Sequence, residues 1–105
     1  MKAILIDPFA RSVEYIESGL TLPELYESVG EDCIDICRPF PEHPFEAAVV
    51  GDHSAMQMPP LPRFFVDGFI EPIYGKTLVF GVTRDGIERP TGLTIEQVRG
   101  WIEFE

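Results

Sequence analysis

A chain of 105 residues that is 45% hydrophobic and 11% aromatic has the material for one packed core, so a single domain over residues 1–105 is expected, held without metal or disulfide. Eighteen acidic against eight basic residues give a formal net charge of −10. The cations Lys2, Arg11, Arg38, Arg63, Lys76, Arg84, Arg89 and Arg99 are scattered, which disfavours direct nucleic-acid binding and adhesion to an anionic membrane, while a basic protein partner is allowed.

Residues 2–6 read as a mostly buried strand, turned by Asp7-Pro8-Phe9-Ala10 into an exposed second strand over 12–17, where Val13 and Tyr15 alternate with Glu14. The opening apolar run is too short for a signal-peptide core and no stretch is long enough to span a membrane. With two cysteines, the expectation is a cytoplasmic protein whose thiols stay reduced.

Thr21 predicts a helix N-cap, with Glu24 at the capping-box position and Leu20 and Leu25 as a hydrophobic staple. Leu22, Leu25, Tyr26 and Val29 share its apolar face, and Gly30 ends it. Glu24, Glu27 and Glu31 lie on the other face at helical spacing, followed by Asp32 and Asp35, with no basic residue between Arg11 and Arg38. Carboxylates beside the negative helix end are unfavourable there, so stability alone would not choose Glu31 and Asp32. These five acids form the expected partner-binding surface; the plainer reading is a solvated face screened by cellular salt.

Cys33-Ile34-Asp35-Ile36-Cys37 predicts a strand with Ile34 and Ile36 inward and the two cysteines and Asp35 outward. Cysteines four residues apart on an extended chain stand about 13 Å apart, too far for a disulfide. Adding His43 and His53 draws a zinc set on paper, but the cysteine spacing lacks the tight knuckle of such sites and no metal is expected. The proline-rich stretches 38–45 and 58–62 read as rigid connectors around a short strand over 46–50. Asp52, His53 and Ser54 are adjacent, so they point in different directions and make no catalytic relay.

Arg63-Phe64-Phe65-Val66 is aromatic strand material, and Asp67-Gly68 is a hairpin-turn signal. The run 77–83 is the predicted central strand, with Leu78, Phe80 and Val82 on one face, Val79 on the other, and Gly81 admitting a close neighbour before the turn Arg84-Asp85-Gly86. Residues 87–92 are extended. Thr94 then caps a last helix, with Gln97 as its capping-box partner, a Leu93 and Val98 staple, and a buried face of Ile95, Val98, Trp101 and Ile102.

The opening Met-Lys-Ala-Ile-Leu-Ile-Asp-Pro, the capped helix running through Val29-Gly30 into Cys33-Ile34-Asp35-Ile36, and the tail from Pro72 through Gly81 to Leu93-Thr94-Ile95-Glu96-Gln97-Val98 resemble a family. It is a family of small domain-of-unknown-function proteins of phages, plasmids and their bacterial hosts. The resemblance implies a mobile-element accessory protein acting inside a bacterium, and it brings no catalytic residues.

The expected fold is α+β, a mainly antiparallel sheet of five to six strands with two short helices. The expected function is a non-enzymatic acidic interaction protein, without cofactor, binding a basic partner through Glu24, Glu27, Glu31, Asp32 and Asp35. Its sharpest form is a charge-mimicking inhibitor of a nucleic-acid-binding host defence complex. The alternative is an assembly module that self-associates, as a homodimer, through a sheet edge or the Phe64-Phe65 region.

Overall fold

The run Thr77-Leu78-Val79-Phe80-Gly81-Val82 carries one polar side chain, at its start. In the computed structural model it is strand β7 (Thr77–Val82), and all of it is buried. The structure describes residues 1–19, 21–29, 34–51 and 62–105. Around β7 the chain lays down β1 (Lys2–Asp7), β2 (Ser12–Glu17), α1 (Leu22–Val29), β3 (Ile34–Cys37), β4 (Glu46–Gly51), β5 (Arg63–Val66), β6 (Ile73–Tyr74), β8 (Glu88–Arg89), α2 (Ile95–Trp101) and β9 (Ile102–Phe104). The fold is α+β. A six-stranded sheet has the order β2-β1-β7-β4-β3 with β8 also on β7, and a three-stranded sheet has the order β6-β5-β9. Each of these pairings is antiparallel.

Strand alternation on β7 creates two cores. Leu78, Phe80 and Val82 face α1, where Leu25 and Val29 pack on them together with Ala3, Ala47 and Val49. Val79 faces the other way, with Ile4, Ile6 and Ala48, onto Phe64, Val66 and Ile73 of the small sheet and Val98 of α2. Each Val, Leu, Ile or Phe side chain among these stabilises the fold by about 1.5–3 kcal/mol when fully buried, so neither face could be left open. The layers are therefore helix, sheet, and a second layer made of the small sheet with α2.

Gly81 admits its neighbour as expected: a Cβ there would stand 2.6 Å from the Pro90 carbonyl oxygen. The turn into β8 closes through Gly86 N–H donating to the Thr83 carbonyl (2.9 Å), with Gly86 at a φ of 84°. Beyond β8, the chain is fastened to the main sheet by Glu46, which is 4% exposed. The Thr91 hydroxyl donates to its Oε1 at 2.5 Å and the Gly92 N–H to its Oε2 at 3.0 Å, while Thr91 Oγ1 accepts the Leu93 N–H at 3.1 Å. This clamp delivers the chain to α2, whose capping box forms as its sequence predicts: Thr94 Oγ1 accepts the Gln97 N–H at 3.1 Å and Gln97 Oε1 accepts the Thr94 N–H at 2.8 Å.

Three local expectations are corrected. Ile102 is not on the helix: α2 stops at Trp101, and Ile102 opens β9 opposite Val66. Ile102-Glu103-Phe104-Glu105 alternates with period two, and pairing with β5 satisfies its backbone better than another helical turn. The expected orientations of Ile36 and Cys37 on β3 are also exchanged. Pairing of Cys37 with Ala48 and Ile36 with Val49 turns Cys37 toward the small-sheet core and leaves Ile36 57% exposed at the sheet edge, past the residues that α1 covers. At α1, Thr21 accepts the Leu25 N–H at 2.9 Å as an N-cap residue should, but the Glu24 carboxylate accepts the N–H of Gly19, not that of Thr21. Leu20 and Gly30, the other expected markers of this helix, lie outside the described residues.

Three substitutions test this packing by urea denaturation. Gly81→Ala forces its side chain into the Pro90 backbone and should lower stability by about 1–3 kcal/mol. Gly100→Ala, with open space around the added methyl, should raise it by about 0.5–1 kcal/mol. Glu46→Ala strands the Thr91 hydroxyl and Gly92 N–H and should cost about 2–4 kcal/mol.

Candidate functional site

Where the second layer meets solvent, three separate segments converge. The Asp67-Gly68 turn that follows β5 closes through Phe69 N–H donating to the Val66 carbonyl at 3.0 Å, with Gly68 at a φ of 85°. Its Asp67 N–H donates to the Trp101 carbonyl at 2.7 Å, fixing the turn to the end of α2. Proline-bounded residues 40–43 form the third segment, held by His43 N–H donating to the Phe40 carbonyl at 2.9 Å. Phe40 is buried in the core, with its ring centroid 5.5 Å from that of Trp101, and the His43 ring lies 5.0 Å from Trp101 at 37°. Between them is a cleft of about 440 Å³ lined by Phe40, Glu42, His43, Asp67, Gly68 and Trp101. That is the size of a small-molecule or single side-chain pocket.

The concave surface continues past the turn. A second depression, of about 450 Å³, shares Asp67, Gly68 and Trp101 and adds Phe65 and Glu103. A third, of about 170 Å³, lies between Asp35, Cys37, Phe69, Glu71 and Tyr74. Asp35, Glu42, Asp67, Glu71 and Glu103 thus line these three hollows, and among the described residues no lysine or arginine does. Of the cations close in sequence, Arg38 donates to the Pro44 carbonyl at 2.5 Å and Arg99 to the Val13 carbonyl at 3.4 Å. Among the described residues, the Glu42 and Asp67 carboxylates make neither a hydrogen bond nor an ion pair.

Those of the expected partner-binding residues that are described lie on both sides of the main sheet. Glu24 and Glu27 are exposed on α1. Asp35, paired with Val50, faces the opposite way and borders the third hollow, where one of its oxygens accepts the Ile36 N–H at 2.8 Å. Glu31 and Asp32 lie outside the described residues, as do Asp52, His53 and Ser54. Nothing in the sequence marks Glu42, Asp67, Glu71 and Glu103 as site residues, because each sits in a segment that reads as a connector, a turn or a helix end. Only the fold brings Glu42 and Asp67 to Trp101. Cys33 and His53 of the paper zinc set are likewise outside the described residues, and among those described no group of three or more His, Cys, Asp or Glu is arranged to hold a metal. Among the described residues, no helix is long and apolar enough to cross a membrane.

Burial, reinforced by the charge of Asp35, pushes the Cys37 thiol from 9.0 up to about 11. No model of a known protein family, no curated protein and no solved structure matches the chain.

A thiol so shifted favours the folded state up to pH 9, and that contribution is lost as the pH rises through 11. In a Cys33→Ser variant at pH 8, Cys37 should react with a disulfide reagent roughly 100-fold more slowly in the native state than in urea, following its thiolate fraction. Equal rates would show that Cys37 is not shielded.

Proposed function

We propose that this is a non-enzymatic acidic interaction protein that docks a basic protein partner on the hollowed surface around residues 67–71, with the Trp101 cleft as its anchor. The observation that carries this reading is the set of three adjoining hollows, lined by Asp35, Glu42, Asp67, Glu71 and Glu103 and, among the described residues, by no lysine or arginine. Concave walls of low dielectric focus the field of such carboxylates, so a basic partner is steered in and its binding weakens with salt. The cleft adds what a bare acidic face lacks, aromatic surface in a recess, which is where binding energy concentrates at protein interfaces.

The resemblance to phage- and plasmid-borne proteins supports a setting: an accessory factor of a mobile element, working in the bacterial cytoplasm. Inhibition of a nucleic-acid-binding defence complex by charge mimicry is its most specific form. The helix acids Glu24 and Glu27 offer a competing face on the other side of the sheet. One observation favours a second reading, self-association: Ile36 is 57% exposed on the edge strand β3.

Capture from bacterial lysate separates these readings. A basic partner should be retained at low salt, released at high salt, lost with Glu42→Gln/Asp67→Asn/Glu71→Gln/Glu103→Gln, and kept with Glu24→Gln/Glu27→Gln. Loss with the helix variant alone would move docking to α1. Concentration-dependent dimerisation that ignores salt, with nothing captured, would replace docking by assembly.

A further inference from the structure

We propose that the cleft beside Trp101 is an arginine-recognition site, taking the guanidinium of a side chain presented by a protein partner. The inference rests on the docking reading for its source of arginine, and its chemistry comes from the cleft itself. Two carboxylates, Glu42 and Asp67, line a recess whose remaining walls are largely aromatic, from Phe40, His43 and Trp101. A neutral occupant would strip water from these carboxylates and return nothing, whereas a cation compensates them.

Among cations the walls favour guanidinium. It is planar and weakly hydrated, so it stacks on an aromatic ring at small desolvation cost, and its fork of N–H donors matches a carboxylate in two bonds. An ammonium is a strongly hydrated point charge and gains less from flat walls. This protein already uses the same combination internally. The Arg63 guanidinium sits 5.2 Å from the Phe65 ring centroid and 5.8 Å from that of Tyr74, forms an ion pair with Glu105, and donates to the Tyr74 hydroxyl at 3.1 Å. The Trp101 cleft offers rings and carboxylates of the same kinds, and its carboxylates are unpaired among the described residues.

The surroundings favour an arginine within a chain over the free amino acid. The cleft opens into the neighbouring hollow, with which it shares Asp67, Gly68 and Trp101, so the backbone on either side of the arginine has a path along the surface.

Trp101 is the only tryptophan in the chain and lines the site, so its emission reports occupancy directly. The protein is titrated with a blocked Gly-Arg-Gly peptide and with its lysine and citrulline counterparts. Saturable change with arginine is expected, at least tenfold weaker response with lysine, none with the neutral citrulline, and at least tenfold weakening in Glu42→Gln/Asp67→Asn. The unchanged urea midpoint of that variant, followed by circular dichroism, shows that it still folds. An equal response to citrulline, an equal response to lysine, or indifference to the two substitutions would overturn the assignment. If arginine fails to bind while the salt-sensitive capture persists, only this assignment falls. If arginine binds and capture fails, the docking reading falls and the site stands.

Discussion

A strand buried on both faces sets the terms for the rest of this molecule. β7 has no solvent side to which polar residues could be consigned, so each face requires its own apolar cover and each edge a hydrogen-bonded neighbour. α1 is short and meets the first demand on one side by packing Leu25 and Val29. The other side is covered by a composite layer, in which a three-stranded sheet and a seven-residue helix share one core. Such a layer cannot be seamless. Its elements approach from different directions, and where the end of α2, the turn after β5 and the proline-rich loop meet, a recess is left.

Polar groups hold this layer in place. The buried Glu46 carboxylate brings the chain from β8 back over the sheet, the capping box starts α2 at Thr94, and the Asp67 N–H closes the turn onto the helix end. Each bond satisfies a backbone or side-chain group that would otherwise be left without a partner in a tight junction. Negative charge is sorted by the same architecture. Several acids are consumed by structure: Glu46 inside, Glu105 by Arg63, Glu24 by the Gly19 N–H. Others, including Glu42 and Asp67, are left facing solvent around the recess without local partners among the described residues.

Much of the frame was legible before folding. The two-sided strand, the close approach at Gly81 and the cap at Thr94 are local patterns whose physics is contained in a few consecutive residues. The failures share a different character. Ile102 fits a helical stripe and a strand alternation equally well, and only the partner strand β5 decides between them. Ile36 and Cys37 are both apolar enough to be buried, and register with β4 decides which one turns toward the core. The cleft was illegible for the same reason on a larger scale. Phe40, Asp67 and Trp101 are far apart in the chain, and none of the segments that carry them has a chemical signature of its own. Acids on one helix are visible as spacing; acids assembled from three loops are visible only as a surface.

Because the recess is walled by residues from positions 40–43, 67–68 and 101, it exists only when the composite layer is docked. An occupant there bridges segments that the unfolded chain holds far apart, and it has affinity for the folded state alone. Its binding free energy is then added to the stability of the whole layer, by an amount that grows with the logarithm of its concentration above Kd. Occupancy and global stability become two readings of one equilibrium, so the proximity of a partner would be felt as far away as the clamp at Glu46 and the buried strand beneath it.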